Sequence, residues 1–185
     1  YLGTVFLVVM TFYVFLENKK AYEKGEPMPL KVSMGWWIVD TSCITIIALS
    51  SFHSIWYIPI DTILSSVVGL IVFLIGLIIQ LAGMIEFRSI RRISGMDTSK
   101  LITTGIYKWS RNPQFLGWYL MMLGISIFGR SGYALLITAI TILACHYYIV
   151  KVEEPYLQRV FGEEYLKYKS RTPRYFGFLK SDESR

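Results

Sequence analysis

The chain of 185 residues is 54% hydrophobic and only 17% charged, and its mean hydropathy is +0.45. Soluble domains usually carry about a quarter charged residues, so this composition argues against a soluble globular domain. The net charge of +6 does not call for nucleic acid as a partner, because the basic residues are distributed as a membrane topology distributes them.

Apolar runs occur, in chain order, at residues 1–16, 34–52, 60–87, 114–128 and 133–152. A transmembrane helix needs about 20 apolar residues, within a range of about 17–25, so the first and fourth runs are short and the third is long enough to tilt. A signal peptide is the alternative for the first run, but a polar Glu-Asn-Lys-Lys segment follows it instead of a small-residue cleavage site. The sequence therefore predicts an all-α, polytopic membrane protein of about five transmembrane helices.

The 19 basic residues are spread unevenly over the segments that flank these runs. Four lie between the first and second runs, six between the third and fourth, and eight at or after the end of the fifth, whereas Arg130 alone lies between the fourth and fifth. The positive-inside rule predicts an N-terminus outside and a cytoplasmic C-terminus. We expect one membrane domain over 1–185, with three helices in 1–87. A cofactor-binding loop, a helical hairpin and a cytoplasmic C-terminal segment with a short helix follow in 88–185.

Familiar soluble-enzyme motifs are missing from the sequence. There is no P-loop, GxGxxG, GxSxG or HExxH pattern. Cys43 and Cys145 fall inside apolar runs, where thiols usually behave as small apolar groups, and no Cys/His cluster has zinc spacing, so no metal site is predicted. Any chemistry must come from polar residues at the ends of the membrane helices.

The first polar segment is residues 100–117, which contains Arg111, Asn112 and Pro113. Asn is a good N-cap and Pro suits the first helical position, so a helix is predicted to start here. With Arg111 beside it, this helix start is a candidate site for a ligand carboxylate or phosphate, and Gly105 would let the loop backbone approach that ligand. The simpler interpretation is an interfacial cap with Arg111 facing lipid headgroups.

The second polar segment is residues 146–155, at the end of the fifth run. His146 and Glu153 are seven residues apart, two helical turns, so they should share a face. An ionisable residue such as His146 within an apolar run tends to point into the bundle and to mark function, although a structural histidine bonded to another helix is the alternative. Glu153 and Glu154 stand near a helix C-terminus, where the dipole disfavours negative charge. Either a bound cation or a nearby Lys or Arg would offset that cost.

The third polar segment, residues 161–176, has the pattern of a short amphipathic helix that ends before Pro173. It could lie on the bilayer surface with its aromatic residues inward, or it could cover a site.

Together the three segments resemble a known family. The patterns L-x-T-x-G-x-Y, R-N-P-x-F-x-G-W, E-E, F-G-x-E-Y-x-x-Y and R-x-P-R follow one another over residues 100–175. Their order and spacing are similar to those of the isoprenylcysteine carboxyl methyltransferases and, more loosely, of the related phospholipid methyltransferases. Three positions depart from the eukaryotic pattern. Asn112 and Phe115 replace the usual His and Tyr, and Ile149 stands where we associate an arginine with the substrate.

The resemblance implies binding of S-adenosylmethionine, without a Rossmann fold, between the last helices and the cytoplasmic loops. Most of the expected cofactor-binding residues are carried over from the family by position, and Gly105 and Glu154 are added from the arguments above. The full set is Lys100, Leu101, Ile102, Gly105, Tyr107, Asn112, Pro113, Gln114, Phe115, Glu153 and Glu154. Glu153 would hold the ammonium group of the cofactor.

The implied reaction is methylation of a lipophilic acceptor, most simply the carboxylate of a prenylated cysteine, with S-adenosylhomocysteine as product. A carboxylate needs no general base, so the protein mainly supplies alignment and a dry pocket. Candidates for catalysis are Arg111, Glu153 and His146, the last as a base for an amine acceptor; Arg171 and Arg174 are candidates for orienting the acceptor. Membrane lipids and the acceptor are the expected partners, with no obligate protein partner.

Two alternatives stand beside this interpretation. An NADPH-dependent membrane sterol or steroid reductase has a similar short hairpin near its C-terminus, and the basic loop over residues 88–111 could bind its phosphates. A non-enzymatic membrane protein would tolerate replacement of Arg111, Glu153 and Glu154 without losing any ligand.

Overall fold

The computed structural model of the protein describes residues 1–177. Within that range the chain is helical and forms no β-strand, only an isolated bridge between Tyr57 and Ser131. The helices are α1 (Leu2–Glu23), α2 (Leu30–Phe52), α3 (Thr62–Phe87), α4 (Ile90–Ile93), α5 (Pro113–Phe128), α6 (Gly132–Tyr148), α7 (Glu154–Phe161) and α8 (Glu163–Arg171), with a 3-10 turn at Gly105–Lys108 and a π turn at Ile149–Glu153. The last residues of the predicted 88–185 segment, 178–185, lie outside the described residues.

The chain is an integral, multi-pass membrane protein, as predicted. Three helices, α1 to α3, are long and apolar enough to cross a membrane, and so is the continuous helical segment Gly132–Phe161; α5 is apolar but has only 16 residues. At 1.5 Å per residue α5 is about 24 Å long, slightly less than a hydrocarbon core of about 30 Å. Four long helices and a shorter one account for the five predicted.

The helix ends differ from the predicted ones because hydropathy marks the limits of the hydrocarbon layer and not of backbone hydrogen bonding. The first helix continues from the predicted residue 16 to Glu23, and the second begins at Leu30 instead of residue 34. The last membrane segment continues past the predicted residue 152 to Phe161. These extensions carry polar residues beyond the apolar runs at one end of the bundle. The segments at this end of the bundle, residues 24–29, 88–112 and 162–177, are together called the basic end.

Glycines bring α3 and α5 into close contact. A Cβ atom added at Gly76 would lie 2.7 Å from the Gly117 carbonyl oxygen, and one added at Gly69 would lie 2.8 Å from that of Gly124. Small residues allow membrane helices to approach to backbone contact. This packing fixes the start of α5, at Pro113, against the end of α3 at the basic end.

Candidate active site

A cavity of about 510 Å³ lies inside the basic end and extends between the helices. This volume is within the range of about 300–1,000 Å³ that is usual for small-molecule and cofactor sites. Nine of the eleven residues predicted to bind cofactor lie in its walls: Lys100, Leu101, Ile102, Tyr107, Asn112, Gln114, Phe115, Glu153 and Glu154. Gly105 and Pro113 do not, nor do His146, Arg171 and Arg174.

Glu153 has an unsatisfied oxygen at this site. Its Oε2 is buried and finds no hydrogen-bond partner among residues 1–177. A buried carboxylate oxygen without a donor is costly, and a donor or cation supplied by a ligand would remove that cost.

The π turn decides which side chains join Glu153 in the cavity. Residues Ile149–Glu153 form i→i+5 bonds, which take more residues per turn than an α-helix, so seven residues no longer make two turns. The prediction that His146 and Glu153 share a face is therefore wrong. Tyr148 lines the cavity, whereas His146 is exposed and its Nδ1 lies 2.9 Å from the hydroxyl of Tyr175.

Glu154 belongs to a buried ion cluster. One of its oxygens, Oε1, accepts from Arg111 Nη1 at 2.8 Å and from Arg174 Nε at 2.7 Å, and Oε2 lies 3.0 Å from Lys169 Nζ. The side chains of Arg111 and Glu154 are only 8% and 5% exposed. Three cations surround one carboxylate, so this part of the site keeps an excess of positive charge.

Arg111 also holds the C-terminal segment in place. Its Nε donates to the carbonyl of Thr172 at 3.0 Å, and its Nη1 donates to the hydroxyl of Tyr165 at 3.1 Å. The interpretation that Arg111 faces lipid headgroups is wrong, because its charge is taken up by Glu154. Its Nη2 has no partner within the described part of the chain, so two of its five donors remain available. Arg174 likewise binds Glu154, and Arg171 is an exposed residue at the end of α8.

Asn112 does not cap α5, contrary to the prediction. Its side-chain amide instead donates to the carbonyl of Arg174 at 3.0 Å, and no side chain caps the helix. Pro113 does occupy the first turn, as predicted. The amides of Gln114 and Phe115, both cavity residues, therefore have no side-chain acceptor from the cap position, and a helix N-terminus favours an anion.

Gly105 approaches a neighbouring helix and not the cavity. It has φ +55°, and a Cβ there would overlap the carboxylate of Glu86, which accepts from the Thr104 hydroxyl at 2.7 Å. Only glycine takes up this left-handed conformation without strain. Gly105 closes the loop against α3 and does not line the cavity, and its predicted role beside a ligand stays a prediction. Pro113, at the start of α5, is fully buried beside Gly83 of α3.

Tyrosines form much of the remaining wall. The rings of Tyr22 and Tyr156 stack at 3.8 Å, and the hydroxyl of Tyr156 lies 2.9 Å from that of Thr98. Tyr107 accepts a hydrogen bond from Gln114 Nε2 at 2.9 Å. Burial raises the pKa of Tyr107 well above its usual range, so this phenol stays neutral.

The N-terminal helices contribute wall residues that motif reasoning missed. They include Tyr22, Trp36, Asp40 and Gln80. Asp40 carried a signal in the sequence, because an acidic residue in a predicted transmembrane run usually marks function. The others look like ordinary residues of apolar helices.

Residues 92–95, 97 and 98, in the loop before Lys100, also line the cavity. Arg92 Nε lies 3.1 Å from Asp97 Oδ2, and the Ser99 amide donates to the same carboxylate at 2.9 Å. The Ser99 amide and the Arg92 guanidinium lower the pKa of Asp97, so this loop keeps its ion pair.

Comparison with known proteins identifies the family. The sequence model of the family described as phospholipid methyltransferase matches residues 64–164, more than half of the chain. The chain is similar to the protein-S-isoprenylcysteine O-methyltransferases of Homo sapiens, with 31% identity over 119 residues, and Xenopus laevis, with 29% over 121 residues. It is also similar to the protein of that name from Saccharomyces cerevisiae, with 24% identity over 185 residues.

These alignments cover the relatives to different extents. The human and frog alignments include 62% of this chain but only 42% and 41% of those proteins, so the chain spans about two fifths of their length. The yeast alignment includes 90% of this chain and 76% of the yeast protein. No solved structure matches the chain significantly. The relatives confirm the resemblance predicted from residues 100–175, and the chain belongs to the phospholipid methyltransferase family.

Proposed function

We propose that this protein is an S-adenosylmethionine-dependent methyltransferase that methylates the carboxylate of a prenylated cysteine at the cytoplasmic face of a membrane. The observation that carries the proposal is a cofactor-sized cavity that joins the unsatisfied Glu153 to the uncapped start of α5. The names of the relatives indicate the same reaction.

The residues of the cavity fit the cofactor group by group. The buried Glu153 Oε2, which lacks a donor among residues 1–177, suits the ammonium group. The amides of Gln114 and Phe115 and the excess positive charge around Glu154 suit the carboxylate. The stacked Tyr22 and Tyr156 form an aromatic wall suited to a planar ring. When bound, S-adenosylmethionine supplies a methyl group on a sulfonium.

The chain's own residues then have to align and desolvate the acceptor. A carboxylate attacks in line without losing a proton, so no general base is required. Arg111 is the proposed orienting residue, because it lies in the cavity wall and keeps its Nη2 unpaired among the described residues. Apolar walls such as Leu101 and Phe115 exclude water. We propose no role in the reaction for the exposed His146.

The membrane topology belongs to the same proposal. The basic end carries the loops that close the cavity, and the positive-inside rule assigns it to the cytoplasm. The N-terminus then lies outside, and a prenyl chain can enter the bundle from the bilayer.

The comparison with known proteins favours neither alternative. In the 88–111 loop, Arg92 pairs with Asp97 and Arg111 pairs with Glu154, which reduces the charge available to NADPH phosphates. The relatives reported above are all methyltransferases. A non-enzymatic role gives no reason for an unsatisfied carboxylate in a cavity of this size.

Calorimetric titration of the detergent-purified protein with S-adenosylhomocysteine, and in parallel with NADPH, tests the proposal. We expect saturable binding of S-adenosylhomocysteine alone. Binding of NADPH alone would support the reductase, and binding of neither by a protein with intact helical circular dichroism would refute the cofactor assignment.

A further inference from the structure

Asn18 is a fully buried polar residue on α1, five residues before that helix ends at Glu23. Its Nδ2 donates to the hydroxyl of Tyr148 at 2.6 Å, which joins α1 to α6. Its Oδ1 is buried and has no donor among residues 1–177. A buried amide oxygen without a donor is costly. An apolar residue would avoid that cost, so stability alone does not account for an asparagine at this position.

Tyr148, the partner of Asn18, is a hub of the cavity wall. It is the last residue of α6 and directly precedes the π turn. Its ring lines the cavity, and its centroid lies 5.4 Å from that of Trp36 on α2 and 6.4 Å from that of Phe115 on α5. Three membrane helices thus meet Tyr148 beside the turn that carries Glu153.

The π turn is held at both of its ends. Glu154 directly follows it and is bound by Arg111 at 2.8 Å, and Tyr148 directly precedes it and is bound by Asn18. Between them, Glu153 is the last residue of the turn, and its buried Oε2 has no partner in the described part of the chain. Isolated π turns are rare and are frequent at functional sites. Contacts at both ends restrict the directions in which the Glu153 side chain can point.

We propose that Asn18 is a positioning residue for cofactor binding, which holds Tyr148 and thereby keeps the π turn in the form that presents Glu153 to the ligand. The inference rests on the proposed function and adds α1 to the site, although α1 lies outside residues 64–164, which match the family model. Asn18 does not itself line the cavity, so it acts through Tyr148. Without this bond Tyr148 and the turn take up more conformations, and ligand binding has to restore one of them at a cost in affinity.

Calorimetric titration with S-adenosylhomocysteine tests this inference on three variants: Asn18→Ala, Tyr148→Phe and the double variant. Asn18→Ala should raise the dissociation constant by about 2- to 12-fold, which corresponds to the loss of one ordinary hydrogen bond. Tyr148→Phe removes the same bond from the other side and should weaken binding at least as much. Adding Asn18→Ala to Tyr148→Phe should then cause no further loss, because the bond is already absent.

Thermal unfolding without ligand separates positioning from a purely structural role. Asn18→Ala leaves the buried Tyr148 hydroxyl without its partner, whereas the double variant has no hydroxyl to satisfy and should be the more stable of the two. A purely structural role predicts that affinity recovers together with stability in the double variant. Positioning predicts that affinity stays low while stability recovers.

A matched control joins the same two helices at the opposite end of α1. Thr4 Oγ1 lies 2.7 Å from the hydroxyl of Tyr133 on α6, and neither residue lines the cavity. Thr4 is fourteen residues before Asn18, or about 21 Å along the helix. Thr4→Ala therefore removes the same kind of bond between α1 and α6 far from the π turn, and it should leave the affinity for S-adenosylhomocysteine within about twofold.

Four results would overturn the inference. These are wild-type affinity in Asn18→Ala, a further loss when Asn18→Ala is added to Tyr148→Phe, recovery of affinity in the double variant, and an equal loss in Thr4→Ala. The last of these would mean that general docking of α1 matters and not the contact with Tyr148. Failure of the folded wild-type protein to bind S-adenosylhomocysteine would instead refute the proposed function, and with it the site that Asn18 is inferred to serve.

Discussion

Replacing Glu153 with Gln separates ligand binding from stability. Glu153 Oε2 makes no hydrogen bond to the described part of the chain, so the variant removes a negative charge and breaks no bond to that oxygen. Thermal stability should be unchanged or slightly higher. A hydrogen bond between charged groups contributes about 1.5–3 kcal/mol, so the dissociation constant for S-adenosylhomocysteine should rise by about 10- to 150-fold.

The neighbouring residue provides a matched control. Glu154→Gln is the same change one position along, but Glu154 is 5% exposed and binds Arg111, Arg174 and Lys169. Breaking a buried ion pair costs about 3–5 kcal/mol, so this variant should unfold at a clearly lower temperature. Calorimetry measures affinity and thermal unfolding in the same detergent measures stability. Unchanged affinity in Glu153→Gln, or a loss of stability as large as that in Glu154→Gln, would refute the assignment of Glu153.

Three further predictions concern the helix contacts and the residues around the cavity. Gly76→Val should lower the unfolding temperature, because its Cβ would lie 2.7 Å from the Gly117 carbonyl, whereas Gly3→Ala meets only ordinary contacts at 3.7 Å and should not. His146→Ala should leave S-adenosylhomocysteine affinity within about twofold, since His146 does not line the cavity; a loss of tenfold would return it to the site. Arg111→Lys keeps the charge but cannot reproduce the bonds to Thr172 and Tyr165, so it should weaken both stability and methyl transfer; full activity would exclude an orienting role.

Hydropathy was sufficient to predict the membrane helices but not their ends. Long apolar runs have few alternatives in a bilayer, so the number and order of the spans could be predicted. The extension to Phe161 could not, because Glu153 and Glu154 interrupt the apolar run while the backbone remains helical through a π turn. That turn also invalidated the helical spacing argument for His146.

Short sequence motifs were sufficient to predict part of the site. Residues 100–117 and the acidic pair Glu153-Glu154 are each contiguous in sequence, and most of the cofactor-binding residues predicted from them line one cavity. The sequence did not show which hydrogen-bond partner the Asn112 side chain would take. It binds the Arg174 carbonyl, which is 62 residues away in sequence, instead of capping its own helix. Gln80 was missed because only tertiary packing brings α3 to the motif-bearing loops, whereas Asp40 could have been found as an acidic residue within a predicted transmembrane run.

The most direct test of the central claim is transfer of a labelled methyl group from S-adenosylmethionine to S-farnesylcysteine by the purified protein, with Glu153→Gln in parallel. A carboxyl methyl ester is hydrolysed by base, whereas an N-methyl group is not. We predict a base-labile labelled product that depends on Glu153. No labelled product from a protein that binds S-adenosylhomocysteine, or a base-stable label, would contradict the carboxyl methyltransferase account.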